Sequence, residues 1–512
     1  MGNSQSQQRQ QEAKLSSLLA KWSSQEQCYL RDQYKRIGED VAKGDGSIPT
    51  ELFIQAIARL RPAYCSQNLT SSIGWYISQK DSAVTFQNFA EASVLLLAGA
   101  EEVAVEAAYA IFMQSKVSLE TFVQWVVESA IPVWFEGSGL KQIPDTTVKE
   151  QAAAATRLAR FLVHRTHNEQ QREKQRRLDE ENLWMGEQKH ATVEDTWAEE
   201  VTATPSALDL STFSLWIRNT PAFLVLFRLV AELIFFGHRS DTDIHKRRIE
   251  RRTAPGIAHS TTKQPFSRLL TAYDYFMLTL FLPANTLSWS PSEQSQRRVS
   301  EDLQHRLVYS SRTDGTSWQV FVNRLAYQGA TLTVIKAKNG CIFGAYADDV
   351  WRPVTNWYGN GSNFLYRLNV TGDDYLEMGA WNAKSINDHF QYLCWGKKSL
   401  PNGLAMGGQF DYCGLWLDSD FLHGHSRAGP LCSTYASPRL SKDENFELDE
   451  VEVWLVRPVQ REDGDETEPQ GGALSRTEDM EFLEMAGKKL YSRDLGPALH
   501  EEEEEEKESK DH

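Results

Sequence analysis

The sequence predicts an α+β chain: an all-helical N-terminal half, then a β-sandwich with flanking helices, then a C-terminal helix. Three observations carry this. Apolar residues recur at helical spacing through the first half. From about Val299 the texture changes to short alternating strands separated by Gly, Asn and Asp turns. Roughly half the tryptophans fall in that second part, as large rings do in a sandwich core. The 512 residues make room for about three domains. A hydrophobic share of 41% against 24% charged excludes a fully disordered chain. The formal charge of −16 argues against nucleic acid as a partner. That charge is uneven. Residues 459–512 hold 18 acidic against 7 basic side chains, a net of −11, which leaves −5 for the other 458 residues.

In chain order, residues 1–25 form a polar leader that starts Met1-Gly2-Asn3-Ser4-Gln5-Ser6. It has no apolar core and is not read as a signal peptide. Gly2 with Ser6 fits N-myristoylation, which makes Gly2 the expected lipidation site. One myristoyl chain holds a membrane only marginally, and no cysteine near Gly2 offers a second acyl chain, so a further contact is required. The six cysteines show neither C-x-x-C nor zinc spacing and are expected as free thiols.

Within residues 26–136 a β-branched residue is followed five positions on by Phe three times: Ile48/Phe53, Val84/Phe89 and Val117/Phe122. The Phe-to-Phe spacings are 36 and 33 residues, with helical segments on either side, which suggests a degenerate EF-hand-like domain. Its calcium chemistry is missing. Loop positions 1, 3, 5 and 12 read Val41, Lys43, Asp45, Leu52 in the first unit and Ile77, Gln79, Asp81, Asn88 in the second. In the third they read Ala110, Phe112, Gln114, Thr121. None supplies the bidentate Glu that calcium needs, so no metal site is expected.

Residues 137–298 are expected to be helical with a charged linker. A helix is predicted over 144–162, then a charged stretch over 164–190 that is either a flexible linker or a solvated helix extension, and buried helices over 208–236 and 266–281, with Pro221 and Pro283 as breakers. The most apolar stretch, 222–236, is too short for a span and carries Arg228 and Glu232, so it reads as a buried helix ending at Gly237. Lys246, Arg247, Arg248, Arg251 and Arg252 form the strongest basic cluster. It is either a solvated loop or a contact for anionic lipid or an acidic protein face.

Residues 299–458 hold the strands. A hairpin is predicted from 331–336 and 341–346 about an Asn339-Gly340 turn, with further strands at 363–368, 414–417 and 450–456. Several segments together resemble the TLDc domain: LVYSSRTDGTSWQVFVNRL (307–325), TLTVIKAKNGCIFGAYADDVWR, GNGSNFLYRL (359–368), GGQFDYCGLWLDSDFLHGHS (407–426), CSTYASPRLS and FELDEVEVWLV. A Thr-Tyr-Ala-Ser stretch stands where the family commonly has Thr-Phe-Asn-Asn. The lipid signal and the EF-hand-like half narrow the resemblance to the family's myristoylated, mTOR-associated branch. It implies oxidative-stress protection, binding to the vacuolar-type proton ATPase and the mTOR complex, and attachment through myristate to the cytoplasmic face of the lysosomal membrane. It brings no catalytic residues and no cofactor.

Cys413, Asp411, Asp418, Asp420, His423 and His425 form the densest reactive cluster. They leave two readings open: a non-enzymatic adaptor, or a stress-protective enzyme using Cys413 with His423. Phosphate-cradling and dinucleotide-binding glycine motifs are both absent. Residues 459–512 close the chain. Phe482, Leu483, Met485 and Leu490 share one face of a predicted helix over 478–490, expected to dock on a partner or on the domain itself, ahead of a disordered acidic run at 501–506.

Overall fold

The computed structural model describes residues 13–39, 46–60, 66–79, 81–138, 152–164, 208–237, 267–283, 286, 305–369, 378–384, 386–428 and 432–459. The helical half opens with a helix over residues 13–19 (α1) and with α2, Ser24–Gly38. A capping box starts α2: Ser23 Oγ accepts from Glu26 N, and Glu26 Oε2 accepts from Ser23 N. Then come α3 (Thr50–Leu60), α4 (Gln67–Ile77) and α5 (Phe86–Ser93), which runs into a π-helical turn, Val94–Ala98. The series continues through α6 (Glu101–Ser115), α7 (Leu119–Ser138), α8 (152–164), α9 (Leu210–Asn219), α10 (Pro221–Phe236) and α11 (Ala272–Thr279).

The first two repeat units form an EF-hand-like pair. Strands β1 (Ile48–Pro49) and β2 (Ala83–Val84) join their loops antiparallel, with Ile48 opposite Val84 as the repeat predicts. Phe53 and Phe89 meet in the core at 6.0 Å. The third unit is different. Only residues 116–118 separate α6 from α7, with Lys116 left-handed at φ 57°, so no EF-hand loop exists there and Phe122 serves as a core residue. Among its described residues the half is therefore helical apart from one two-stranded link.

α10 confirms the buried-helix reading. Of its 16 residues 13 are buried, and Gly237 ends it at φ 81°. No single helix among the described residues is long and apolar enough to cross a membrane.

The second half holds β3 (Arg306–Ser310), α12 (Ser311–Asp314), α13 (Trp318–Leu325), β4 (Gly329–Ala337), β5 (Ile342–Ala347), β6 (Phe364–Asn369) and β7 (Gly379–Asn382). β8 (Tyr392–Cys394), β9 (Gly403–Met406), β10 (Leu415–Asp418), β11 (His423–His425) and β12 (Asn445–Pro458) follow. The strand order is β7-β6-β5-β4-β12-β11-β10-β9-β8, with β3 also on β12. β12 belongs to both layers: residues 445–447 pair with β11, while 448–458 pair with β4 and, in part, β3. The sandwich core lies between the layers, where Ile335, Phe343, Leu365 and Val453 face Leu404, Met406, Leu415 and Leu417.

The first layer has no solvated face. Leu332, Val334, Tyr346, Phe364, Tyr366 and Trp454 point away from the sandwich core and join the core of the helical half. α11 fills that junction. Every residue from Ala272 to Thr279 is buried, as a helix packed on all sides must be. Its Tyr275 ring meets Trp454 on one side and Trp134 of α7 on the other, while Phe276 also packs on Trp134.

Candidate functional site

The reactive cluster read from the sequence lies on the outer face of the second layer, and its members do not form a catalytic group. Cys413 is buried with Tyr392, Cys394, Ala405 and Trp416, and its Sγ donates to Gln409 O at 3.1 Å. Burial first, then the Cys432 and Asp411 charges, push its thiol far above the usual range, so it offers no thiolate near neutral pH. His423 is exposed and bonded through Nδ1 to Asp420, a partnership that raises its pKa. His425 stacks on Trp416, opposite it in the register, and burial lowers its pKa to about 4. The thiol and the imidazole thus have separate partners and unsuited protonation states. Cys28, Cys341, Cys394, Cys413 and Cys432 are free thiols, as expected.

No group of three or more His, Cys, Asp or Glu among the described residues could hold a metal. In the second EF-hand-like loop Gln79 sits at φ 53° and its Nε2 donates to Glu91 Oε2 at 3.4 Å. Val41, Lys43 and Asp45 lie outside the described residues, as do Gly2, the basic cluster Lys246, Arg247, Arg248, Arg251 and Arg252, and the tail positions Phe482, Leu483, Met485 and Leu490.

What sequence reasoning missed is a polar seam around α11. Glu452 of β12 is fully buried, and its carboxylate accepts from Ser267 Oγ at 2.6 Å, Arg268 N at 2.9 Å and Trp454 Nε1 at 3.3 Å. Burial still raises its pKa, against the pull of those donors. Arg268 also pairs with Glu450 at 3.2 Å. His305, just before β3, is bonded at Nδ1 to Tyr275 and at Nε2 to Thr286 O. The carbonyl can only accept, so Nε2 carries the proton and the tyrosine hydroxyl donates to Nδ1. Asp274 closes a capping box with Thr271 and pairs with Arg157 of α8 at 3.1 Å. Beside that pair a cavity of about 10 Å³ is lined by Ile131, Tyr273, Phe276 and Met378, room for no more than one water. In sequence Glu452 reads as a solvent-facing member of an alternating strand; nothing local marks it as buried.

Among the described residues this seam joins the helical half to the sheet. The model of the TLDc domain family matches residues 264–457, so the matched region takes in α11 upstream of residue 299, where the strand texture begins. The mTOR-associated protein MEAK7 of Gallus gallus is 37% identical over 204 residues, 39% of this chain and 42% of the relative. Its Homo sapiens counterpart is 34% identical over 206 residues, again 39% and 42%. Nuclear receptor coactivator 7 of Homo sapiens is 34% identical over 166 residues, 32% of this chain and 16% of that protein. The match spans about two-fifths of the mTOR-associated relatives' length. Residues 264–457 thus match the TLDc domain, and over that domain the chain is similar to these relatives.

Proposed function

We propose that the chain is a non-enzymatic, lipid-anchored adaptor of mTOR signalling at the cytoplasmic face of the lysosomal membrane, where its TLDc domain engages the vacuolar-type proton ATPase. The observation that carries the non-enzymatic part is Cys413, buried and held protonated apart from His423. The mTOR link rests on similarity to relatives named as mTOR-associated. Myristate on Gly2 is the anchor, and Lys246, Arg247, Arg248, Arg251 and Arg252 are the second membrane signal that one acyl chain requires. The tail face of Phe482, Leu483, Met485 and Leu490 reaches the partner.

The test is co-precipitation of mTOR and proton-pump subunits from lysosomal membranes with wild-type, Gly2→Ala and 475–495-deleted chains. Gly2→Ala is expected to leave the membrane fraction, and the deletion to lose pump subunits while staying in it. Unchanged fractionation of Gly2→Ala refutes the anchor; unchanged pump recovery refutes the tail's role. Loss of a peroxide-consuming activity in Cys413→Ser, above that of a free-thiol control, would restore the enzyme reading.

A further inference from the structure

We infer that the EF-hand-like pair is a calcium-independent clamp for an apolar helix, and that the helix it holds is the chain's own α10. In paired EF-hands, calcium opens a groove between the helices, and an amphipathic helix lays its apolar face into it. Here that groove is already filled. Phe235 of α10 packs 4.9 Å from Phe89 on α5, the last helix of the pair. Phe236 packs 5.1 Å from Trp22, immediately before α2, the first helix. Gln33 of α2 reaches the α10 backbone, its Nε2 donating to Ile234 O at 3.5 Å. Earlier on α10, Arg228 Nε donates at 3.3 Å to Leu96 O in the π-helical turn that extends α5.

Protein groups tie the described parts of the two loops together. The Tyr34 hydroxyl of α2 lies 2.9 Å from Gly46 O in the first loop and 2.8 Å from Val84 O in the second. Thr50 crosses the same way, donating through Oγ1 to Asp81 O and through its amide to Ser82 O, both at 3.0 Å. The Tyr34 and Thr50 hydroxyls and the Ile48–Val84 strand pair thus join the two loops, and burial of the α10 rings holds the helices of the pair against α10. The pair is a fixed mount, not a sensor.

Hydrogen exchange on the full-length chain tests this. Calcium chloride, compared with chelator, is expected to leave exchange over residues 24–38, 86–93 and 221–236 unchanged. Phe235→Ala is expected to speed exchange about tenfold or more in all three segments while residues 329–347 of the sheet stay at wild-type rates. Added protection from calcium in those helices overturns the inference. So does a Phe235→Ala chain in which 221–236 loosens while 24–38 and 86–93 keep wild-type rates. If Phe235→Ala also speeds the sheet, Phe235→Leu provides the milder comparison, read by the same criterion.

Discussion

His305 is buried completely, and burial lowers its pKa from 6.5 to about 4 against a smaller opposing effect of its bond to Thr286 O. In the folded chain it stays neutral where the unfolded side chain would protonate. As pH falls below about 6.5 the unfolded state takes up the proton first, so stability is lost between there and about 4. The whole shift corresponds to about 3 kcal/mol. Denaturant midpoints are expected to drop from about pH 7 to about pH 5, and His305→Gln, which can both accept from Tyr275 and donate to Thr286 O, should flatten the drop. His425, lowered to about 4 as well, adds to the same window. A second residue-scale feature is Ala436, left-handed at φ 48° with a Cβ that this region disfavours. Ala436→Gly should raise unfolding stability by about 1 kcal/mol, read as a higher denaturant midpoint with an unchanged slope.

At the scale of elements, the strands were legible where turn chemistry and alternation agree. The Asn339-Gly340 turn, with Gly340 at φ 87°, joins β4 and β5 within a residue or two of the predicted bounds. β4 and β5 also come very close at Gly344, where a Cβ would lie 1.9 Å from Thr333 O and 2.7 Å from the Tyr366 hydroxyl. Gly344→Ala is therefore expected to cost more than about 3 kcal/mol, measured as loss of soluble, cooperatively unfolding protein. β12 exceeded its prediction, 450–456 against Asn445–Pro458, because its first residues pair in one layer and its later ones in the other. The third repeat misled for a related reason: a β-branched residue and a Phe five apart suit any helix start packed on a core, and only the Ile48–Val84 pairing distinguishes a true loop.

At the scale of the molecule, α11 makes the two halves one body. Cutting the chain at residue 299, where the strand texture begins, removes Ser267, Tyr275 and Phe276, strips Glu452 of two donors and bares Trp454 and Tyr366. A 299–459 fragment should aggregate or bind a hydrophobic dye, whereas a 264–459 fragment should bind far less and keep its sheet protected. The comparison is a side-by-side dye titration and size-exclusion profile; equal behaviour would show that α11 is dispensable to the sheet.

Sequence alone pointed to the α+β class, to EF-hand-like loops at Ile48 and Val84 whose ligand positions lack calcium chemistry, to the buried helix ending at Gly237 and to the strands of the TLDc match, while it over-read a third loop at Val117. Each is written in local patterns: period, turn residues, ligand positions, motif order. Only the tertiary structure decided that Cys413 and His423 stand apart, that Glu452 and His305 are buried, and that α10 fills the EF-hand-like groove. Those outcomes depend on which surface covers which. A carboxylate on an alternating strand looks the same in sequence whether water or α11 lies above it.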